Sequence, residues 1–143
     1  MFSNTVKYAI KAVLYLAAYS SEKNKIMIKD IAMPINVPKA YIAKILQELS
    51  RKNLVSSKRG PNGGFYLSDN NLKGNVYDLI EAVDGDEKIN SCLLSLSECN
   101  ANNPCSLHNI VYNEKQLLMQ KLKDTTLEFL VKDLKEGISV LPL

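Results

Sequence analysis

Val6, Ala9, Ile10, Val13, Leu14 and Ala17 recur at the spacing of one helix face, across a stretch holding neither Gly nor Pro. Residues three and four apart share a side of an α-helix, so the pattern predicts a helix over about residues 4–20. The polar run Ser20-Ser21-Glu22-Lys23-Asn24-Lys25 ends it. Ile26-Met27-Ile28 leads into a helical turn at Lys29-Asp30-Ile31-Ala32. Pro34 removes an internal hydrogen bond and clashes with the preceding turn, which predicts a brief or kinked helix. Asn36 suits the left-handed conformation of a tight interhelical turn, and Pro38 suits the first position of the next helix. Ile42, Ile45, Leu46 and Leu49 form the buried stripe of that third helix, leaving Lys39, Ala40, Tyr41, Ala43, Lys44 and Gln47 on or near its open side.

The period then shortens. Leu54-Val55-Ser56-Ser57-Lys58 and Phe65-Tyr66-Leu67 read as two short strands around Arg59-Gly60-Pro61-Asn62-Gly63-Gly64, whose Gly and Pro content specifies a turn. A helix-turn-helix followed by such a hairpin predicts a wing. After a loop over Ser68–Asn75, Val76, Leu79, Ile80 and Val83 mark a fourth helix that stops near Gly85. An irregular cysteine-bearing loop follows. From about Pro104 a long helix is expected, with Leu107, Ile110, Val111, Leu117, Leu118 and Leu122 on one side, a stripe too long for a small domain to cover. Asp124-Thr125-Thr126 reads as a break, and Leu127, Leu130, Val131 and Leu134 as a last helix. The expected fold is mainly α with a small β-hairpin: a winged helix-turn-helix domain over 1–84, a cysteine-rich loop over 85–108, and a long helix with a C-terminal helix over 104–143.

Charge changes the picture. Residues 1–75 carry twelve Lys/Arg against four Asp/Glu, whereas 76–143 carry six against eleven, beneath a net +3. A basic half joined to an acidic half is expected when one part meets a polyanion and the other does something else. The first residues of a recognition helix reach base edges in a major groove about 12 Å wide, and Lys39, Ala40, Tyr41 and Lys44 are placed for that. Lys58 and Arg59 lead into a turn where Gly60 and Asn62 let backbone approach phosphates, with the arginine suited to the minor groove. The glycine turn lacks the Gly-Lys-Ser/Thr ending of a nucleotide-binding loop, so that reading is rejected. Double-stranded DNA is the expected partner.

A chain of 143 residues buries about 68–70% of its unfolded surface without staples, so disulfides are not required. No run of about 18 apolar residues and no cleavable leader pattern occurs, so no membrane span is expected and the cytoplasm is the expected address. Thiols stay reduced there. All three cysteines and the only histidine fall in one segment of seventeen residues, Cys92 to His108. Soft thiolates and an imidazole gathered on one loop are what a thiophilic metal centre requires.

Tyr41-Ile42, Leu46-Gln47-Glu48-Leu49 and the run Asn53 to Leu67 closely resemble the Rrf2 family of bacterial regulators, which includes IscR and NsrR. The resemblance extends through Asp78–Gly85, the cysteine loop, Leu107-His108 and Thr125-Thr126-Leu127, nearly the whole chain. It implies a homodimeric winged-helix repressor or activator, not an enzyme. Two heads would sit on a pseudo-palindromic operator, with the long helix as the dimerisation helix, crossing its partner's copy. Pro34 departs from the family's usual second helix, and the gap from Cys92 to Cys99 is six residues where the family usually has five.

Three thiolates and one imidazole complete four terminal positions on a 2Fe–2S cluster, with Cys92, Cys99, Cys105 and His108 as the candidates. Function is then read as transcriptional regulation, repression foremost, governed by iron-sulfur, nitric oxide or redox status. Structural zinc also accepts three cysteines and a histidine, though usually with gaps of two to four residues between paired ligands. A cluster-free thiol switch stays open as well. Catalytic cysteine chemistry has no accompanying acid, base or cofactor cradle.

Overall fold

The computed structural model describes residues 2–94 and 99–143. Helix α1 (Asn4–Tyr19) is its hub, because Val6, Ala9, Ala12, Val13, Leu14 and Leu16 are buried around much of its circumference. Ser3 caps it, accepting the Val6 amide at 3.1 Å, and its hydroxyl donates to Asp84 at 2.6 Å, which ties the start of α1 to a distant helix end. Helix α2 (Ile28–Ile35) is brief and runs through Pro34 into its last turn. Asn36 then takes the left-handed conformation, φ 59° and ψ 51°, and its amide returns to Ala32 and Met33. That turn aims α3 (Lys39–Arg51), whose Ile42, Ile45, Leu46 and Leu49 are buried as the spacing predicts.

Strands β1 (Ser56–Lys58) and β2 (Gly64–Tyr66) pair antiparallel, Ser57 opposite Phe65. Ile26 adds an isolated bridge: it exchanges backbone hydrogen bonds with Phe65 at 2.9 and 2.8 Å. Gly64 is required there. Its φ is +146°, and a Cβ would stand 2.7 Å from the Ile26 carbonyl oxygen.

The stretch read as a loop over Ser68–Asn75 contains a short helix, α4 (Asp69–Leu72), closed by a capping box between Ser68 and Asn71. Asn71 is buried and hydrogen-bonded through both its oxygen and its nitrogen. Its oxygen accepts from Ser56 and Ser68, and its amide nitrogen donates to Asn53, so one side chain joins α4 to the base of the wing. Helix α5 (Val76–Asp84) stops at Gly85 as expected, and α6 (Asp86–Asn90) follows at once. The Tyr77 hydroxyl donates to Asp86 at 2.9 Å. Burial, then the Asp86 carboxylate, push that phenol above its ordinary pKa.

Helix α7 (His108–Asp124) begins later than Pro104, because Pro104 and Cys105 belong to the preceding turn, in which the Cys105 carbonyl accepts the His108 amide at 3.0 Å. Thr126 caps α8 (Leu127–Lys135). The bridge between Asn75 and Thr126 pins the α7–α8 junction to the start of α5. Leu127 enters the main core with α1, α2 and α3, while Val6, Tyr77, Ile80, Ile89 and Met119 form a second core beneath α7. No helix among the described residues is long and apolar enough to cross a membrane.

Candidate nucleic-acid interface and metal centre

Two sites stand on this frame. The first is an open groove of about 670 Å3 between α3, the start of α2 and the hairpin. Five cations line it, Lys29, Lys39, Arg51, Lys58 and Arg59, with no Asp or Glu among its lining residues. Duplex DNA carries one negative charge per about 1.7 Å of axis, so an acid-free, cation-walled groove is its electrostatic complement. The α3 N-terminus adds to this. No side chain caps it and no acidic residue lies in its first turn, which leaves the positive end of the helix dipole open to an anion.

Of the residues singled out by sequence, the groove brings together Lys39, Lys58, Arg59 and Gly60. Ala40, Lys44 and Asn62 are exposed outside it, Ala40 and Lys44 on α3 and Asn62 in the hairpin turn. Tyr41 is half-buried and turned towards α1, where its hydroxyl shares a hydrogen bond with Thr5 and its ring meets Tyr8 edge-on at 5.9 Å. Lys29 and Arg51 were not foreseen. Each stands on a helix apart from the hairpin, and only the tertiary turn at Asn36 and the Ile26–Phe65 bridge bring them to one wall.

The second site is the cysteine segment, of which residues 95–98 lie outside the described residues. Cys92 is buried, Cys99 and Cys105 are half-buried, and His108 is buried at the first position of α7. The four form two pairs. The Cys92 thiol donates to the Cys105 sulfur at 3.4 Å, and the Cys99 sulfur lies 3.4 Å from His108 Nδ1. The imidazole is fixed from its other side by Tyr112, stacked at 4.8 Å and 21°. Lys115, one face-repeat further along α7, donates to the Ser91 carbonyl at 2.6 Å and so holds the residue before Cys92.

The donor set suits a thiophilic metal, and each pair is spaced as two ligands on one ion. Two protein ligands on one tetrahedral ion, at about 2.0–2.3 Å each, stand about 3.3–3.8 Å apart, which is the separation within each pair. A single tetrahedral ion would instead need all four donors around one point. Among the described residues no three of His, Cys, Asp or Glu converge in that way.

A family model described as Rrf2, iron-dependent transcriptional regulator, matches residues 2–133. A protein of Aquifex aeolicus described as an HTH-type transcriptional regulator is 34% identical over 133 residues, 92% of this chain and 91% of that one. The HTH-type transcriptional regulator IscR of Vibrio atlanticus is 28% identical, covering 89% of this chain and 72% of its own. Among solved structures, CymR of B. subtilis, titled a global cysteine regulator, superposes with a TM-score of 0.74 at 23% identity over 92% of this chain and 96% of that one. At that identity the match speaks for the fold.

Proposed function

Because the chain belongs to the Rrf2 family of transcriptional regulators, we propose that it is a homodimeric, cytoplasmic DNA-binding regulator whose grip on an operator is set by a 2Fe–2S cluster held by Cys92, Cys105, Cys99 and His108. The observation that carries this reading is the sorting of four donors into two pairs, each with 3.4 Å between its atoms, at the N-terminus of α7. The iron dependence in the family description supports it. A cluster bound there would supply chemistry sensitive to electrons, nitric oxide and iron supply.

The chain's own residues transmit that state. Cys92 follows α6, which is latched to α5 through Tyr77, while His108 opens α7. Holding both pairs fixes the loop between two helices, and releasing them frees the angle between the basic head and α7. Lys39, Lys44, Lys58 and Arg59, joined by Lys29 and Arg51, neutralise phosphates; Ala40 lies on the exposed α3 face nearest base edges, Tyr41 braces α3 against Thr5 and Tyr8 of α1, and Gly60 and Asn62 let the turn approach the backbone. Two heads about 34–36 Å apart would read the two halves of a pseudo-palindrome. The test is anaerobic purification with absorbance, iron and sulfide assays, then electrophoretic mobility on the promoter region before and after cluster loss. Brown protein whose mobility shift changes with cluster loss is the expected outcome, and protein that never takes up iron overturns it.

Arg59→Ala probes the wing. Its removal should weaken binding across sequences and make the dependence of log K on log salt shallower by about one unit, because one fewer counterion is released. A slope identical to the parent protein's would take Arg59 off the DNA.

The contact between Cys92 and Cys105 favours a second reading, a thiol switch. An oxidant such as a disulfide or hydroperoxide would take two electrons and two protons from these thiols and join them, leaving Cys99 beside His108. Peptide mapping of oxidised, metal-free protein should then find Cys92 linked to Cys105 and Cys99 alkylatable. A link through Cys99 would rule this reading out.

A further inference from the structure

Asn71, His108 and Lys115 are the buried polar or charged residues among those described. Asn71 holds the wing and His108 faces Cys99, which leaves the lysine to explain. Lysine is almost never buried without compensation. Yet α7 turns Lys115 inward with His108 and Met119, while Glu114, Gln116 and Leu117 stay exposed. Its ammonium donates to one neutral acceptor, the Ser91 carbonyl at 2.6 Å, and none of the ion pairs among the described residues includes it. An ammonium has three protons to place, and a cation withdrawn from water is stabilised by a nearby anion. Ser91 is bonded directly to Cys92, whose sulfur touches that of Cys105.

We propose that Lys115 is a positioning residue for the sulfur site: it fastens the Cys92 arm to α7 and stands as counter-cation to the anionic sulfur held there. The inference rests on the reading of Cys92, Cys99, Cys105 and His108 as one site. It supplies a direct link to α7, since any change at Cys92 is felt two turns along the helix from His108 through one hydrogen bond. Were a cluster held there, the same cation would favour its more negative, reduced form, and Lys115→Met would then lower its reduction potential.

The deciding test needs no metal. In the full-length, reduced, metal-free chain, the ratio of alkylation rates by iodoacetate and iodoacetamide is measured at Cys92 and Cys105 by peptide mass spectrometry. Both reagents attack the same thiolate, so the ratio cancels the thiolate fraction and reads local charge. Lys115→Met should lower it by about threefold at low salt, and Lys115→Arg should retain it. An unchanged ratio in a Lys115→Met chain that melts like the parent overturns the proposal. Should Lys115→Met fail to fold, the parent chain decides: its ratio must fall as salt is raised, and a flat response overturns the proposal equally. Protein that never binds iron yet shows these ratios sinks the cluster reading alone. Protein that binds iron with an unchanged ratio sinks the role of Lys115 alone.

Discussion

Cys99→Ser is expected to yield colourless protein under anaerobic purification, with iron and acid-labile sulfide reduced at least about tenfold, because a hard hydroxyl is a poor substitute for a soft thiolate on iron. The substitution is nearly isosteric, and Cys99 lies outside both hydrophobic cores, so circular dichroism should match the parent and thermal unfolding should match the metal-free parent. That combination separates a ligand from a packing residue. Cys99 also has a specific partner, His108 Nδ1 at 3.4 Å, so its loss leaves the imidazole to hold its half of the site alone. Operator affinity should move with the colour by about 5–150-fold, the ordinary range of coupling between two sites. A Cys99→Ser protein that stays brown with full iron would remove Cys99 from the ligand set, and a colourless parent protein carrying zinc would assign the four donors to a structural metal.

Which donors stand together was not legible in the sequence. Cys105 and His108 are separated by two residues, a spacing that suggests one ligating corner, yet the chain pairs His108 with Cys99 and Cys105 with Cys92. The start of α7 at His108 accounts for this. The helix fixes the imidazole on its buried stripe beside Tyr112, and the turn through Pro104 carries the Cys105 sulfur to the Cys92 side. Spacing gives reach along a chain, and pairing depends on where a helix begins.

The long amphipathic elements were legible for the opposite reason. The buried residues of α3 and α5 repeat every three or four positions, and that periodicity survives into the fold, whereas α1, buried around much of its circumference, adds Ala12 and Leu16 to the stripe read from sequence. The helices α4 and α6, of four and five residues, are too short to show a period. The signal for α4 was nevertheless present, a Ser68-x-x-Asn71 capping box with asparagine in place of the usual Glu or Gln. The groove was legible in its wing and in Lys39. Lys29 and Arg51 were not, since their arrival depends on an interhelical angle that Asn36 sets and no local pattern encodes.

Replacing Ile110 and Leu117 together with glutamate should turn the protein into a monomer by light scattering and weaken operator binding by about a hundredfold or more. Ile110 is 70% exposed and Leu117 55%, two turns apart on one side of α7. The opposite side is already occupied, with Leu118, Leu122 and Met119 packed on the core beneath α5. A helix whose inner stripe is satisfied has no intramolecular reason to carry a second aliphatic stripe into water, and in the proposed dimer a second copy of the same helix would cover it. Glutamate keeps the helix propensity, so α7 itself should persist, but two carboxylates in an apolar seam cannot be desolvated without loss. Affinity falls through geometry, because a dimer places its second head at a high effective concentration over the other half-site, a gain of about 10²–10⁴ that separate monomers forfeit. His108 is buried on the opposite face of α7 from Ile110 and Leu117, so the double variant should keep its colour. A brown monomer that no longer holds its operator would tie DNA occupancy to the α7 seam, whereas a variant that stays dimeric would move the interface to another exposed apolar surface, such as Phe129 on α8.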